Sequence, residues 1–157
     1  MLLRTLGLTR THLCLSPLAR CCLPIRVMAS AAAPRTLFDK IVAREIPSTC
    51  VYEDELVYAF RDITPTAPTH ILIVPKVHGG LTQLQKADES HIPLLGRLLW
   101  AAAEIARREG LAEGYRVVVN DGPNGCQSVY HLHLHLIGGK KLSWPPGTGA
   151  PEGSMTG

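Results

Sequence analysis

The chain has 157 residues, of which 46% are hydrophobic, 18% charged and 5% aromatic, with a mean hydropathy of +0.11. That length argues for one domain able to bury its own core, and the hydropathy excludes a disordered polar chain. The formal charge of +3 arises within residues 1–29, which hold Arg4, Arg10, Arg20 and Arg26 and no acid, so the remainder sums to −1; this excludes a basic nucleic-acid stripe, and the same arginines keep the leucine-rich start too short for a membrane span.

Residues 1–33 read as a transit peptide or disordered leader, because they carry arginines but no acid before Asp39. The small residues from Ala29 to Ala33 suit a processing site in a mitochondrial or plastid precursor, and a start at Met28 would give a cytoplasmic form. Cys14, Cys21 and Cys22 lie in this leader. Cys50 and Cys126 are left, too far apart in sequence for a disulfide framework, which fits a reducing compartment. Residues 35–147 form the domain, and 148–157 read as a flexible tail.

Within the domain, Thr36 and Asp39 resemble a capping box that opens a short helix, with Leu37, Ile41 and Val42 on its buried side and Pro47 as its stop. Residues 51–52 and 56–60 flank an acidic turn and predict a hairpin; residues 69–74, between two prolines, predict a third strand. Asp88 begins a long amphipathic helix in which Ile92, Leu95, Leu98, Leu99, Ala102 and Ile105 recur at helical spacing, and Gly110 ends it. Residues 115–120 and 130–137 predict the last two strands. The order of helix, three strands, helix and two strands argues for an α+β fold with an antiparallel sheet.

The strongest chemical signal is His131-Leu132-His133-Leu134-His135-Leu136-Ile137. Alternation on a strand sends three histidines to one face and three leucines to the other, the histidines about 6.6 Å apart along the backbone. Packing alone does not call for three imidazoles in register. They could hold zinc, or one could attack phosphorus while its neighbours bind charge. Upstream, Asn124-Gly125-Cys126-Gln127-Ser128 offers backbone N–H groups and a hydroxyl to an anion, which favours a phosphate beside His133 over a closed metal cage. His78 and His91 read as solvated, and Arg107-Arg108 as the wet face of a helix.

The triplet resembles the His-φ-His-φ-His-φ-φ signature of the histidine-triad (HIT) superfamily of nucleotide hydrolases and transferases. Further matches are Phe60-Arg61-Asp62-Ile63, the run from Pro68 to Lys76, Val119 to Gly122, Gly125 to Tyr130, and Trp144-Pro145-Pro146-Gly147. Together they cover roughly residues 37–147 and are similar to the nucleotide-binding branch of purine nucleoside phosphoramidases, with wording closest to plant and algal members.

The resemblance implies a HIT-like fold, with a five-stranded antiparallel sheet and two helices per protomer and the sheet continued across a homodimer. It implies that His133 is the nucleophile, forming a covalent nucleotidyl-histidine. His135, Ser128 and Gln127 would contact the α-phosphate, with Cys126 in the same loop, while His131 and His70 would support the nucleophile. Asp62 would hold the ribose, Ile46, Phe60 and Ile63 would line the base pocket, and Asn120 would lie near the phosphate or ribose. Trp144 would approach the partner's site, and no metal or other cofactor is implied. The expected activity is hydrolysis of purine nucleoside phosphoramidates. Alternatives are hydrolysis of adenylyl sulfate or another adenylylated donor, and a zinc-binding or nucleotide-sensing interaction protein with incidental hydrolysis. Two departures stand out: Cys126 replaces a glycine common in the family, and the chain continues past Gly147.

Overall fold

The computed structural model describes residues 35–144, so the expected leader, residues 145–147 and the tail lie outside the described residues. A short helix α1 (Leu37–Val42) precedes strands β1 (Cys50–Glu53), β2 (Val57–Arg61) and β3 (Thr69–Pro75). Two 3-10 turns, Leu84–Lys86 and Glu89–His91, lead into helix α2 (Ile92–Arg108), and β4 (Tyr115–Val118) and β5 (Leu134–Gly138) complete the described elements. The five strands form one antiparallel sheet in the order β1-β2-β3-β5-β4, as the α+β reading expected. No described helix is long and apolar enough to cross a membrane.

Both faces of the sheet are covered. Val57, Ala59, Ile71, Ile73, Leu134 and Leu136 pack against Leu98, Ala101, Ala102 and Ile105 of α2. On the other face, Tyr58, Phe60, Leu72 and Val74 meet Phe38 and Ile41 of α1. This two-sided burial explains why β3 is wholly buried and why its residues 71–74 are apolar without alternation.

Four local expectations are corrected. The capping box forms, but Phe38 and Ile41 are the buried residues of α1 and Leu37 is 47% exposed. A six-residue helix shows too little of its period for sequence to fix its inward face. It stops at Val42, before Pro47, and Arg44 takes a left-handed φ of 61°. Asp88 caps a separate 3-10 turn, Glu89–His91, and α2 starts only at Ile92; Ile92 and Leu99 lie on its exposed side.

The fourth correction matters most. The histidine strand joins the sheet at Leu134, which pairs with Ile73, instead of at residue 130. The neighbouring strand ends in Pro75, whose nitrogen has no hydrogen to extend the ladder. Leu132 N–H instead donates to Leu81 O at 3.2 Å. Because β5 begins there, β4 also ends early, at Val118 opposite His135.

Candidate active site

Side-chain alternation fixes what the site contains. Leu134 and Leu136 of β5 point into the α2 core, so His135 takes the α1 face, opposite Leu72. His133 shares that side: its ring lies 5.0 Å from Phe38 and 5.1 Å from His135. A cavity of about 560 Å³ opens here. Phe38, Ile41, Ile46, Phe60, Ile63 and Leu72 form its apolar wall, while Asp62, Ser128, His133 and His135 form a polar edge. An apolar slot with a few convergent polar groups suits a planar base joined to a charged group.

Hydrogen bonds assign the histidine tautomers. His133 Nδ1 lies 2.7 Å from the carbonyl of His131. A carbonyl only accepts, so Nδ1 carries the proton and Nε2 keeps its lone pair. Burial pushes the pKa of His133 down, which keeps that lone pair free at neutral pH. Thr66 N–H donates to His70 Nδ1 at 3.3 Å, so His70 carries its proton on Nε2 and donates to His135 Nδ1 at 2.9 Å. His135 therefore bears its own proton on Nε2. Among the described residues, that nitrogen is the buried side-chain polar atom without a partner. Burial first, then the neighbouring His133 and His70, push its pKa down to about 4, so the ring is neutral at pH 7.

Of the residues singled out from sequence, His133, His135, Ser128, Asp62, Ile63, Ile46 and Phe60 line the cavity. His70 stands behind His135, and Asp62 Oδ1 is fixed by Thr64 N–H at 2.8 Å. His131 is completely buried; it donates from Nε2 to Pro75 O at 3.0 Å, and its Nδ1 lies 2.9 Å from Thr36 Oγ1. Gln127 turns its side chain inward: Oε1 accepts from Gly122 N–H, and Nε2 donates to Thr82 O and Val129 O. That amide is occupied in closing the loop. Asn120 reaches Cys126 O at 3.5 Å, and Cys126 is exposed with a left-handed φ of 58°. None of these four residues lines the cavity, and neither does Trp144, which is 84% exposed.

Sequence reasoning assigned Phe38 and Ile41 no place at the site, because apolar residues on so short a helix read equally as core. It also misread His78, whose side chain is nine-tenths buried, with its ring 4.7 Å from that of His131 and Nε2 3.5 Å from Asp39. His91 likewise binds Asp88 and is not simply solvated.

Two groups bring ligand-type atoms within 4.8 Å of one another: Asp39, His78 and His131, and Asp62, His70 and His135. Carboxylates and neutral imidazoles are zinc ligands by chemistry. In the second group, the 2.9 Å hydrogen bond between His70 and His135 occupies two of the ring nitrogens that a metal would compete for.

A five-stranded antiparallel sheet presenting alternate histidines beside a glycine-containing loop defines a histidine-triad protein. Residues 43–142 match the HIT domain, and the chain belongs to that family. It is 63% identical over 122 residues to the Arabidopsis thaliana protein named adenylylsulfatase HINT1, covering 76% of this chain and 83% of that one. It is 67% identical over 112 residues to a 14 kDa zinc-binding protein of Zea mays, covering 71% and 88%. The crystal structure of a HIT family hydrolase from Legionella pneumophila matches with a TM-score of 0.69 and 47% identity, over 72% of this chain and all of that one.

Proposed function

We propose that the protein is a nucleotide hydrolase that cleaves the P–N bond of purine nucleoside phosphoramidates and releases the nucleoside monophosphate. The observation that carries this reading is the 2.7 Å bond from His133 Nδ1 to His131 O, which leaves Nε2 as a neutral nucleophile on the cavity edge. In the first step, the Nε2 lone pair attacks phosphorus, the P–N bond breaks, and the leaving amine takes up one proton from solvent and carries it away. In the second step, water attacks phosphorus, the bond to His133 breaks, and the proton that water loses goes to solvent in its place. Splitting the displacement in two lowers each barrier. His135 Nε2–H and Ser128 hold the phosphoryl oxygens, Asp62 accepts from the ribose hydroxyls, and Phe60, Ile46 and Ile63 enclose the base. Gln127, Cys126 and Asn120 shape the loop from behind, and the reaction uses no metal.

Adenylyl sulfate is the second reading, favoured by the name of the Arabidopsis relative. The same attack would expel sulfate, which leaves without a proton. A substrate panel decides between them: adenosine phosphoramidates, adenylyl sulfate and diadenosine polyphosphates, each with and without chelator. Faster turnover of the phosphoramidates, unchanged by chelation, is expected; preference for adenylyl sulfate would favour the alternative. Activity lost to the chelator and restored by zinc would contradict the metal-free mechanism.

The working form in this reading is a homodimer. β4 is an edge strand, and α2 leaves Ile92, Leu99 and Trp100 exposed, so a second copy can extend the sheet and cover that helix. Trp144 of the partner subunit then approaches the site. Residues 1–33 direct the chain to an organelle matrix, and translation from Met28 leaves it in the cytoplasm.

A further inference from the structure

Asp62 lies close to more than the place assigned to the ribose. Its Oδ1 is held by Thr64 N–H, and its Oδ2 lies 3.4 Å from His70 Nε2. The same Nε2–H donates to His135 Nδ1 at 2.9 Å, while Thr66 N–H fills His70 Nδ1. The surroundings of His70 thus impose one polarity: an amide donates into Nδ1, the His135 imidazole accepts from Nε2–H, and the Asp62 carboxylate 3.4 Å from Nε2 favours a proton on that nitrogen by its charge. The outcome of that polarity is a proton on His135 Nε2, a buried atom without a partner among the described residues, on a ring that lines the cavity.

We propose that Asp62 is a positioning residue for the chemical step: its carboxylate fixes the proton of His70 on Nε2 and thereby obliges His135 to present an N–H to the phosphoryl group. This rests on the hydrolase reading above and deepens it, because one carboxylate then serves the ribose and the phosphoryl donor together. Nucleotides with a ribose diol engage the same group that sets the tautomer of His135. The negative charge of Asp62 also favours the protonated forms of both His133 and His135, which fits its closeness to the pair.

Asp62→Asn exposes the difference. Its amide oxygen can still accept from Thr64, but its NH₂ then faces His70 Nε2–H, donor against donor. Moving the His70 proton to Nδ1 only sets it against Thr66 N–H. The first arrangement weakens the donation to His135 by setting a second donor against the same nitrogen, and the second removes it. A carboxylate that served only the ribose would have no effect on a substrate without ribose hydroxyls.

The test therefore uses the full chain with 2′,3′-dideoxyadenosine phosphoramidate. Asp62→Asn is expected to lower kcat on this substrate by about 10-fold or more, less than the roughly 10²–10⁴-fold of losing a proton-donating group outright because the donor is misdirected and not removed, while KM stays nearly unchanged. Asp62→Ala removes the acceptor without adding a donor and should lose less. In a His70→Ala background, Asp62→Asn should cost no further kcat, because the imidazole it acts through is gone. Nitrogen-15 NMR of the imidazoles in the free protein gives an activity-independent readout, with His135 protonated at Nε2 in the wild type and shifted toward Nδ1–H in Asp62→Asn. Unchanged dideoxy turnover in Asp62→Asn, an equal loss in the His70→Ala background, or an unaltered His135 tautomer would each overturn the proposal. A wild type that leaves every phosphoramidate intact would instead defeat the hydrolase reading, and the NMR result would still decide the tautomer claim.

Discussion

Burying neutral imidazoles has a consequence for stability that can be worked out for His135. Its pKa falls from 6.5 to about 4 in the folded protein. Between these values the unfolded chain binds the proton and the folded chain does not, so acid favours unfolding. The stabilisation is complete above pH 6.5 and is lost as pH falls toward 4. From pH 7 to pH 5, linkage gives a loss of about 2 kcal/mol from this residue alone. His131 and His133, also pushed down by burial, act in the same direction. Asp54, held down at about 2 by hydrogen bonds from Tyr52, Leu56 and Val57, loses its contribution at lower pH and does not blur this window. The assay is urea unfolding at fixed protein concentration. With a slope of about 2 kcal/mol per molar urea, the midpoint should fall by roughly 1 M or more between pH 7 and pH 5. In His135→Gln the fall should shrink by about 1 M. A midpoint that is flat across this range, or a fall that is undiminished in His135→Gln, would show that these rings are not held neutral by the fold.

Gly125→Ala should abolish activity and lower Tm, because a Cβ there would sit 2.5 Å from the Asp121 carbonyl oxygen and 2.8 Å from its nitrogen; full activity would show that the loop can yield. Cys126→Gly should stabilise the protein by up to about 1 kcal/mol in urea unfolding, since glycine occupies a left-handed φ without the Cβ penalty; no gain would mean that the thiol offsets the backbone cost. Residues 1–33 fused to a fluorescent protein should carry it into mitochondria or plastids, and a purely cytosolic signal would refute the leader's role.

How far the sequence could be read depended on the range of the interaction involved. Alternation in residues 131–137 was enough to put His133 and His135 on one face, because period two is a local property of extended backbone. The capping box was equally local: Thr36 and Asp39 satisfy each other within four residues. The start of β5 was not legible, since it depends on Pro75, 59 residues before Leu134. His78 looked solvated because nothing nearby in sequence shows that its ring will meet His131 and Asp39. Gln127 looked like a phosphate ligand because its place in the loop was visible, while its bond to Thr82 O came only with the fold. The cavity residues Phe38 and Ile41 were hidden for a related reason, as apolar residues on a short helix read equally as core.

The central claim is that His133 carries the nucleotide between the two steps. Rapid acid-free quenching of the wild type with labelled adenosine phosphoramidate, followed by peptide mapping, tests it directly. A labelled adenylate on His133 that forms and decays at the turnover rate, absent from a folded His133→Ala protein slowed by about 10⁴-fold or more, is the expected result. Label on His131 or His135, or a His133→Ala protein that turns over normally, would contradict it.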